Sequence, residues 1–110
     1  MQIDRLNKLL EFSKSEPNDP FLKYAIATEY WRLNEIDLAL HYFEDLIKNH
    51  PNYSGTYYHL GKLYEDLNRK NEAIKLYEMG MIVTKKVADN HAFSELQTVY
   101  KLACGLEDDE

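Results

Sequence analysis

Residues 57–80 read YYHLGKLYEDLNRKNEAIKLYEMG, and residues 23–46, which lie 34 positions earlier, read KYAIATEYWRLNEIDLALHYFEDL. Large and small side chains recur at the same places in the two stretches: Tyr24 and Tyr58, Ile26 and Leu60, Ala27 and Gly61, Tyr30 and Tyr64, Ala39 and Ala73, Phe43 and Tyr77. A period of this length is typical of a supersecondary unit that buries its apolar face by stacking on its neighbours.

The composition favours helices for this repeated unit. Glycine occurs four times and proline three times in 110 residues, and Leu, Glu, Lys and Ala are common. Long stretches therefore run without a helix breaker. Small residues such as Ala27 and Gly61 let two helices approach closely, while the recurring aromatic residues fill the wider spaces. The sequence predicts a stack of helical hairpins.

These residues resemble the tetratricopeptide-repeat (TPR) family, and in particular its small bacterial members. The family places a large residue, Leu-Gly and Tyr in the first helix, then Ala, an aromatic and a small residue in the second, and Pro closes the unit. The chain departs from this pattern at Lys23, Leu46 and Lys85, where the family prefers Trp, a small residue and Pro. The resemblance implies an all-α fold, an α-α superhelix of about six helices in antiparallel hairpins.

Apolar periodicity and helix signals predict helices at about 2–15, 20–33, 35–49, 54–67, 70–85 and 89–103. Asp19 and Ser54 are the predicted caps, and Asn34 and Asn68 are the predicted left-handed turn residues. We expect a single TPR domain, with a leading half-unit helix (2–17) whose first helix is missing, TPR units at 20–53 and 54–87, a capping helix (88–105) and an acidic tail (106–110).

Charge and composition exclude several classes of partner. The formal net charge is −6, of which the last four residues carry −4, and no basic stripe is present to neutralise phosphates, so nucleic-acid binding is not expected. No apolar run approaches the ~20 residues that cross a bilayer, so no membrane partner is expected. The chain start lacks a signal-peptide core, and one cysteine allows no internal disulfide, so we expect a cytoplasmic protein.

The residues that carry most enzyme chemistry form no recognisable set. His41, His50, His59 and His91 are not spaced three or four residues apart, and Cys104 has no sequence partner that would activate it. We therefore expect no catalytic residues, no metal site and no cofactor, and we predict that the chain is not an enzyme.

The resemblance implies a ligand in the concave groove that the first helices of TPR units line. The predicted groove residues are Phe21, Tyr24, Thr28, Arg32, Tyr58, His59, Lys62 and Asp66, with Trp31 and Glu65 at the rim and Asp89, Ala92 and Leu96 added by the last helix. Tyr24 and Tyr58 either contact the ligand or pack between repeats. Only Lys62 suits the carboxylate clamp of one family subset, so that clamp is not expected.

The leading hypothesis is thus a protein–protein interaction adaptor or scaffold that binds a peptide or partner protein. The alternative is a self-associating structural module. In that case Ile3, Leu6 and Leu10 pack on a second copy and form a homodimer or a longer stack.

Overall fold

The computed structural model describes the backbone of residues 2–105 and the side chains of residues 4–105; the predicted acidic tail lies outside this range. The helix ends predicted from apolar periodicity and helix signals each lie within one residue of the observed ones. The all-α prediction is confirmed, since the described residues contain no strand. Residues 2–105 form six helices: α1 (Gln2–Ser15), α2 (Pro20–Arg32), α3 (Ile36–Asn49), α4 (Gly55–Asp66), α5 (Lys70–Lys86) and α6 (Asn90–Ala103).

The helices form two compact units, one ending at Tyr53 and one beginning at Ser54. In the N-terminal unit, α2 packs on both α1 and α3. In the C-terminal unit, α5 packs on both α4 and α6, and α6 also contacts α4. Each unit is thus built around one helical hairpin, α2–α3 or α4–α5, with one additional helix.

Side chains cap only some of the helix starts. The Asp19 side chain accepts a hydrogen bond of 2.9 Å from the Phe21 backbone N–H, and Pro20 is the first residue of α2. Asp89 caps α6 in the same manner, accepting from the Ala92 N–H at 3.1 Å. The predicted cap at Ser54 is wrong, because its side chain makes no capping hydrogen bond and its backbone is already helical.

The predicted left-handed turn residues are confirmed at both hairpins, with φ of 62° at Asn34 and 61° at Asn68. In each turn, the backbone N–H of the residue after the asparagine donates a hydrogen bond to a carbonyl in the last turn of the preceding helix. Glu35 donates to Tyr30, and Arg69 donates to Tyr64, each at 2.8 Å. This arrangement satisfies carbonyls that the helix end leaves unpaired.

The end of α5 explains why Lys85 stands where the family has proline. Helix α5 continues to Lys86, so a proline at position 85 would fall within its last turn. The helix ends instead through Ala88 at φ 63°, where the Asp89 N–H donates to the Thr84 carbonyl at 2.8 Å. Alanine at this position is strained because its Cβ crowds the backbone in the left-handed region.

Replacing Ala88 with Gly is therefore expected to stabilise the protein by about 1 kcal/mol, because glycine adopts this conformation without strain. The expected rise in Tm is roughly 4 °C for a domain of this size. Thermal unfolding followed by circular dichroism measures it. The matched control is Ala92→Gly inside α6, which should lower the Tm, and a lower Tm for Ala88→Gly would contradict the explanation.

Close packing inside the C-terminal hairpin depends on two glycines. A Cβ added at Gly61 would lie 2.1 Å from Cε1 of Tyr77, and one added at Gly80 would lie 2.6 Å from Cβ of Tyr57. Tyr57 and Tyr77 are both fully buried. The aromatic rings thus occupy the space that the glycines leave, as the repeat pattern predicts.

An ion-pair cluster holds α1 on the N-terminal unit. Glu29 on α2 is 4% exposed, and its carboxylate pairs with Arg5 of α1 at 3.1 Å and with Arg32 of its own helix. Leu6 is 7% exposed and belongs to the core of this chain. The prediction that Leu6 packs on a second copy is therefore wrong, because α1 turns this side chain inward.

Candidate functional site

The predicted ligand face of α2 combines one exposed aromatic side chain with groups that are partly engaged. Phe21 is 57% exposed. Tyr24 is half-buried, and its ring centroid lies 5.6 Å from that of Tyr53. The Thr28 hydroxyl donates to the Ala25 carbonyl at 2.9 Å. This face therefore offers apolar and aromatic surface more than free hydrogen-bonding groups.

Arg32 completes this face at the end of α2. Arg32 is exposed, and its guanidinium pairs with the carboxylate of Glu29, three residues earlier on the same helix. The guanidinium is thus held in place by a buried carboxylate. It supplies a positioned positive charge at the C-terminal end of α2.

The corresponding face of α4 is more polar. The half-buried Tyr58 and His59 rings have centroids 5.5 Å apart. Nδ1 of His59 lies 3.2 Å from the Gly55 carbonyl oxygen, so this nitrogen carries the proton and donates. Lys62 is half-buried and Asp66 is exposed. The α4 face thus presents both signs of charge beside aromatic rings.

Lys62 differs from the other basic residues on these two faces. Lys23 and Arg32 are held by carboxylates. Lys62 is half-buried, and within residues 4–105 its ammonium group has no ion-pair partner. A half-buried lysine without a carboxylate partner is suited to pair with an acidic group of a ligand.

The structure adds Tyr53 to the site, which the sequence analysis did not single out. Tyr53 packs against Tyr24, and burial together with the nearby Asp19 carboxylate raises its pKa. Tyr53 lies in the segment between α3 and α4, outside the helical periodicity on which the prediction was based. Its aromatic character two residues after Pro51 is the signal that could have identified it.

Trp31 and Glu65, the two residues predicted at the rim of the groove, make contacts within their own hairpins. The Trp31 ring meets Phe43 of α3 edge-on with centroids 6.4 Å apart. Glu65 accepts a hydrogen bond of 2.6 Å from the Tyr77 hydroxyl, and burial followed by this bond raises the pKa of Tyr77 far above its ordinary value. Trp31 therefore packs on the neighbouring helix, and Glu65 anchors a core tyrosine.

The contribution predicted for α6 is wrong at Leu96. This side chain is fully buried, and its Cδ1 would lie 2.9 Å from a Cβ added at Gly80. Asp89 is engaged as the cap of the helix. Leu96 therefore serves the packing of the C-terminal unit, and Asp89 serves the start of its last helix.

An ion pair replaces the tryptophan that the family prefers at position 23. Nζ of Lys23 lies 2.7 Å from Oδ2 of Asp45 on α3, and the Asn49 amide donates to the same carboxylate at 2.7 Å. The hydrogen bond from Lys23 is the largest cause that lowers the pKa of Asp45. The bridge thus joins the two helices of the N-terminal hairpin.

Because the folded pKa of Asp45 is lowered, its contribution to stability is present above its unfolded pKa and is lost as the pH falls through the folded value. We expect Asp45→Asn to cost about 1 kcal/mol at pH 7. Urea unfolding should show this difference shrinking from about pH 4 downward. Asp37→Asn removes an exposed carboxylate from the first turn of the same helix, where the helix dipole makes it worth about 0.5 kcal/mol, so its gap should be clearly smaller. A gap for Asp45→Asn that persists at pH 2 would contradict the assignment.

The described residues offer neither a metal-binding cluster nor a membrane span. Among the described side chains, no group of three or more His, Cys, Asp and Glu residues is placed to hold a metal ion. In the same part of the chain, none of the helices has the length and apolar character needed to cross a membrane.

Comparison with known proteins gives the family. Two tetratricopeptide-repeat family models match residues 22–53 and 54–78. The crystal structure of a tetratricopeptide repeat domain protein from Salinibacter ruber is 44% identical, covers 82% of this chain and 100% of its own, and has a TM-score of 0.77. The chain is a tetratricopeptide-repeat protein. TPR domains generally serve as protein–protein interaction modules.

Other solved structures agree on the TPR fold. A solution structure of the Salinibacter ruber domain is also 44% identical, with 86% and 95% of the two chains covered and a TM-score of 0.78. The TPR2B domain of yeast Sti1, solved as a complex with pHsp70, shares 15% identity, covers 96% of this chain and 85% of its own, and has a TM-score of 0.85. At that identity the likeness shows the fold alone. No curated protein matches this TPR sequence.

Proposed function

We propose that this TPR protein is an adaptor that binds a peptide or a segment of a partner protein along the first helices of its repeats, α2 and α4. The supporting observation is that Tyr24 and Tyr58 stand at equivalent repeat positions and are both half-buried. A partly covered tyrosine offers a large rigid face at little cost in conformational entropy, with one polar tip.

The neighbouring side chains indicate what kind of ligand suits these faces. Phe21 offers apolar surface, and Lys62 and Asp66 offer both charges. A helix or an extended segment with apolar anchors and at least one acidic group matches this combination. The yeast domain with the same fold was solved with a pHsp70 partner, which supports protein binding as the general activity. The proposed activity is binding and not catalysis. The repeat boundaries at 20–53 and 54–87 stay predictions, as does the cytoplasmic location.

Affinity capture from the native cell extract tests the proposal. The wild-type protein and the Tyr24→Ala/Tyr58→Ala variant serve as baits. The matched control is Tyr42→Ala/Tyr100→Ala, which removes two half-buried tyrosines, one from each unit, that lie on α3 and α6. Circular dichroism verifies that all three baits are folded.

A partner captured by the wild type and the control but not by Tyr24→Ala/Tyr58→Ala is the expected result. Capture that survives the Tyr24 and Tyr58 substitutions would contradict binding along α2 and α4. A wild-type bait that captures nothing above background would contradict the adaptor function itself.

A further inference from the structure

The outer face of α1 carries apolar surface that no described helix covers. Helix α1 packs only on α2 among the described helices. Phe12 is 61% exposed and Leu9 is half-buried. With Arg5 and Lys8 they line a surface cleft of about 490 Å³, to which Asp4 also contributes.

The repeat register relates this face of α1 to a buried face of α3. Leu9 lies 34 residues before Phe43, and Phe12 lies 34 before Leu46. Phe43 and Leu46 are both fully buried on α3, in the hairpin with α2. The outer face of α1 therefore has the positions that the second helix of a hairpin presents to its first helix.

Helix α6 carries the complementary set of positions. His91, Glu95 and Thr98 lie 34 residues after Tyr57, Gly61 and Tyr64, which are buried on α4 in the hairpin with α5. On α6 all three side chains are exposed. Helix α6 thus presents the face of a first helix with no second helix packed on it among the described residues.

We propose that α6 of one copy and α1 of a second copy pack as the two helices of one hairpin, so that copies associate head to tail. This inference stands apart from the adaptor function. In the C-terminal hairpin, Gly61 faces the Tyr77 ring. At the junction, the same two positions hold Glu95 and Leu9 of the second copy. The larger side chain has moved to the first helix and the smaller one to the second, and the Glu95 carboxylate has to stay at the edge of the junction, where it remains hydrated or paired.

The other pairs at the junction are also compatible. The contact between Tyr57 and Gly80 in the C-terminal hairpin becomes one between His91 and Phe12 of the second copy. Two rings at this place form an aromatic contact that uses the exposed side of Phe12. The most exposed large residue of the α1 face thereby gains a partner.

Charges at the junction are complementary as well. The positions of Lys23 and Asp45 in the N-terminal hairpin correspond to His91 and Glu11 of the second copy, a polar pair in which an imidazole N–H takes the place of the ammonium group. The Tyr30–Tyr42 ring contact corresponds to Thr98 facing Lys8. Within one copy, Nε2 of His91 lies 3.3 Å from Oε2 of Glu95. Glu95 lies less than one helical turn before Thr98, so this carboxylate, already beside His91, also comes to the level of Lys8 of the second copy. Among the described side chains, Lys8 has no carboxylate partner of its own.

This contact is heterologous, because it joins two different faces, so it does not close on a dimer. Its polar pairs place it among weak interfaces, and association is expected toward about 1 mM. Sedimentation velocity measures the mass as the concentration rises. The wild type should grow beyond a dimer, whereas Phe12→Glu and Glu95→Arg should each stay monomeric, since each lacks one of the two faces.

The decisive sample is the equimolar mixture of these two variants. The Phe12→Glu copy retains its α6 face, and the Glu95→Arg copy retains its α1 face, so the mixture should give one dimer of both and nothing larger. The control Ile82→Glu, at a site that is 70% exposed on α5, should associate as the wild type does. Circular dichroism checks the fold of each variant, and both substituted faces are outside the core.

Three results would overturn the inference. A wild type that stays monomeric up to about 1 mM would show that the two faces do not meet at concentrations where weak interfaces form. A Glu95→Arg variant that dimerises alone would show that α1 pairs with α1 instead. A mixture that remains monomeric, while the wild type associates, would place the contact on another surface.

Discussion

Replacing Gly80 with Ala is expected to destabilise the protein by about 3 kcal/mol, because overpacking outweighs the roughly 1 kcal/mol that alanine adds in helix propensity. The new Cβ would lie 2.6 Å from Cβ of Tyr57 and 2.9 Å from Cδ1 of Leu96. Cβ of Tyr57 is bonded to the backbone of α4, so a rotamer change cannot move it away. Helices α4 and α5 would have to separate, with Leu96 of α6 blocking relief on the other side.

Urea unfolding measures this loss in stability. The control is Met79→Ala, the neighbouring residue on α5, which is 46% exposed and should change the free energy of unfolding by less than about 0.5 kcal/mol. Helix propensity alone predicts the opposite sign for Gly80→Ala. A variant as stable as the wild type, or more stable, would show that the two helices are not as closely packed as described.

Replacing Gly61 with Ala is expected to cost about 2 kcal/mol. The obstacle is the Tyr77 ring, 2.1 Å from the new Cβ. This ring is fully buried, and its hydroxyl donates to Glu65, so it is held at both ends. A ring can shift slightly where a backbone cannot, and we therefore expect a smaller loss than at Gly80.

A double-mutant cycle with Tyr77→Leu isolates this clash. In the Tyr77→Leu background, Gly61→Ala should be nearly neutral, which gives a coupling of about 2 kcal/mol. The reciprocal exchange in the N-terminal hairpin is Ala27→Gly, at the position equivalent to Gly61. It should cost about 1 kcal/mol, because Ala27 is buried and no tyrosine ring occupies the space of its Cβ. Additive effects of Gly61→Ala and Tyr77→Leu would contradict the contact.

The helices of this protein could be predicted from sequence because their signals are local. Asp19 and Pro20 start α2, Asn34 and Asn68 adopt left-handed turns, and the small and aromatic residues recur at one period. None of these signals depends on distant parts of the chain. That is why the predicted helix ends agree with the observed ones.

The errors arise where a residue's role depends on what packs against it. Leu6 and Leu96 lie on apolar helix faces, but periodicity alone does not say whether such a face turns inward or outward. Ala88 adopts a left-handed turn without being Gly or Asn, because the Asp89 N–H still reaches the Thr84 carbonyl there. A sequence pattern contains none of this information.

In the candidate site, too, some features follow from the sequence and others require the folded structure. The equivalence of Tyr24 and Tyr58 follows from the repeat alone. The packing of Tyr53 on Tyr24 and the pairing of Arg32 with Glu29 require the folded chain. Lys62 was identified from the family pattern, but only the structure shows that this half-buried lysine has no ion pair among the described residues.

The central claim is that a ligand lies along α2 and α4, and an NMR titration tests it most directly. The captured partner segment is added to the isotopically labelled protein, and amide shifts are followed in the proton–nitrogen correlation spectrum. Perturbations concentrated at residues 21–32 and 58–66, absent for Tyr24→Ala/Tyr58→Ala, are the predicted result. Perturbations confined to α1, α3 or α5, or equal in the variant, would contradict it.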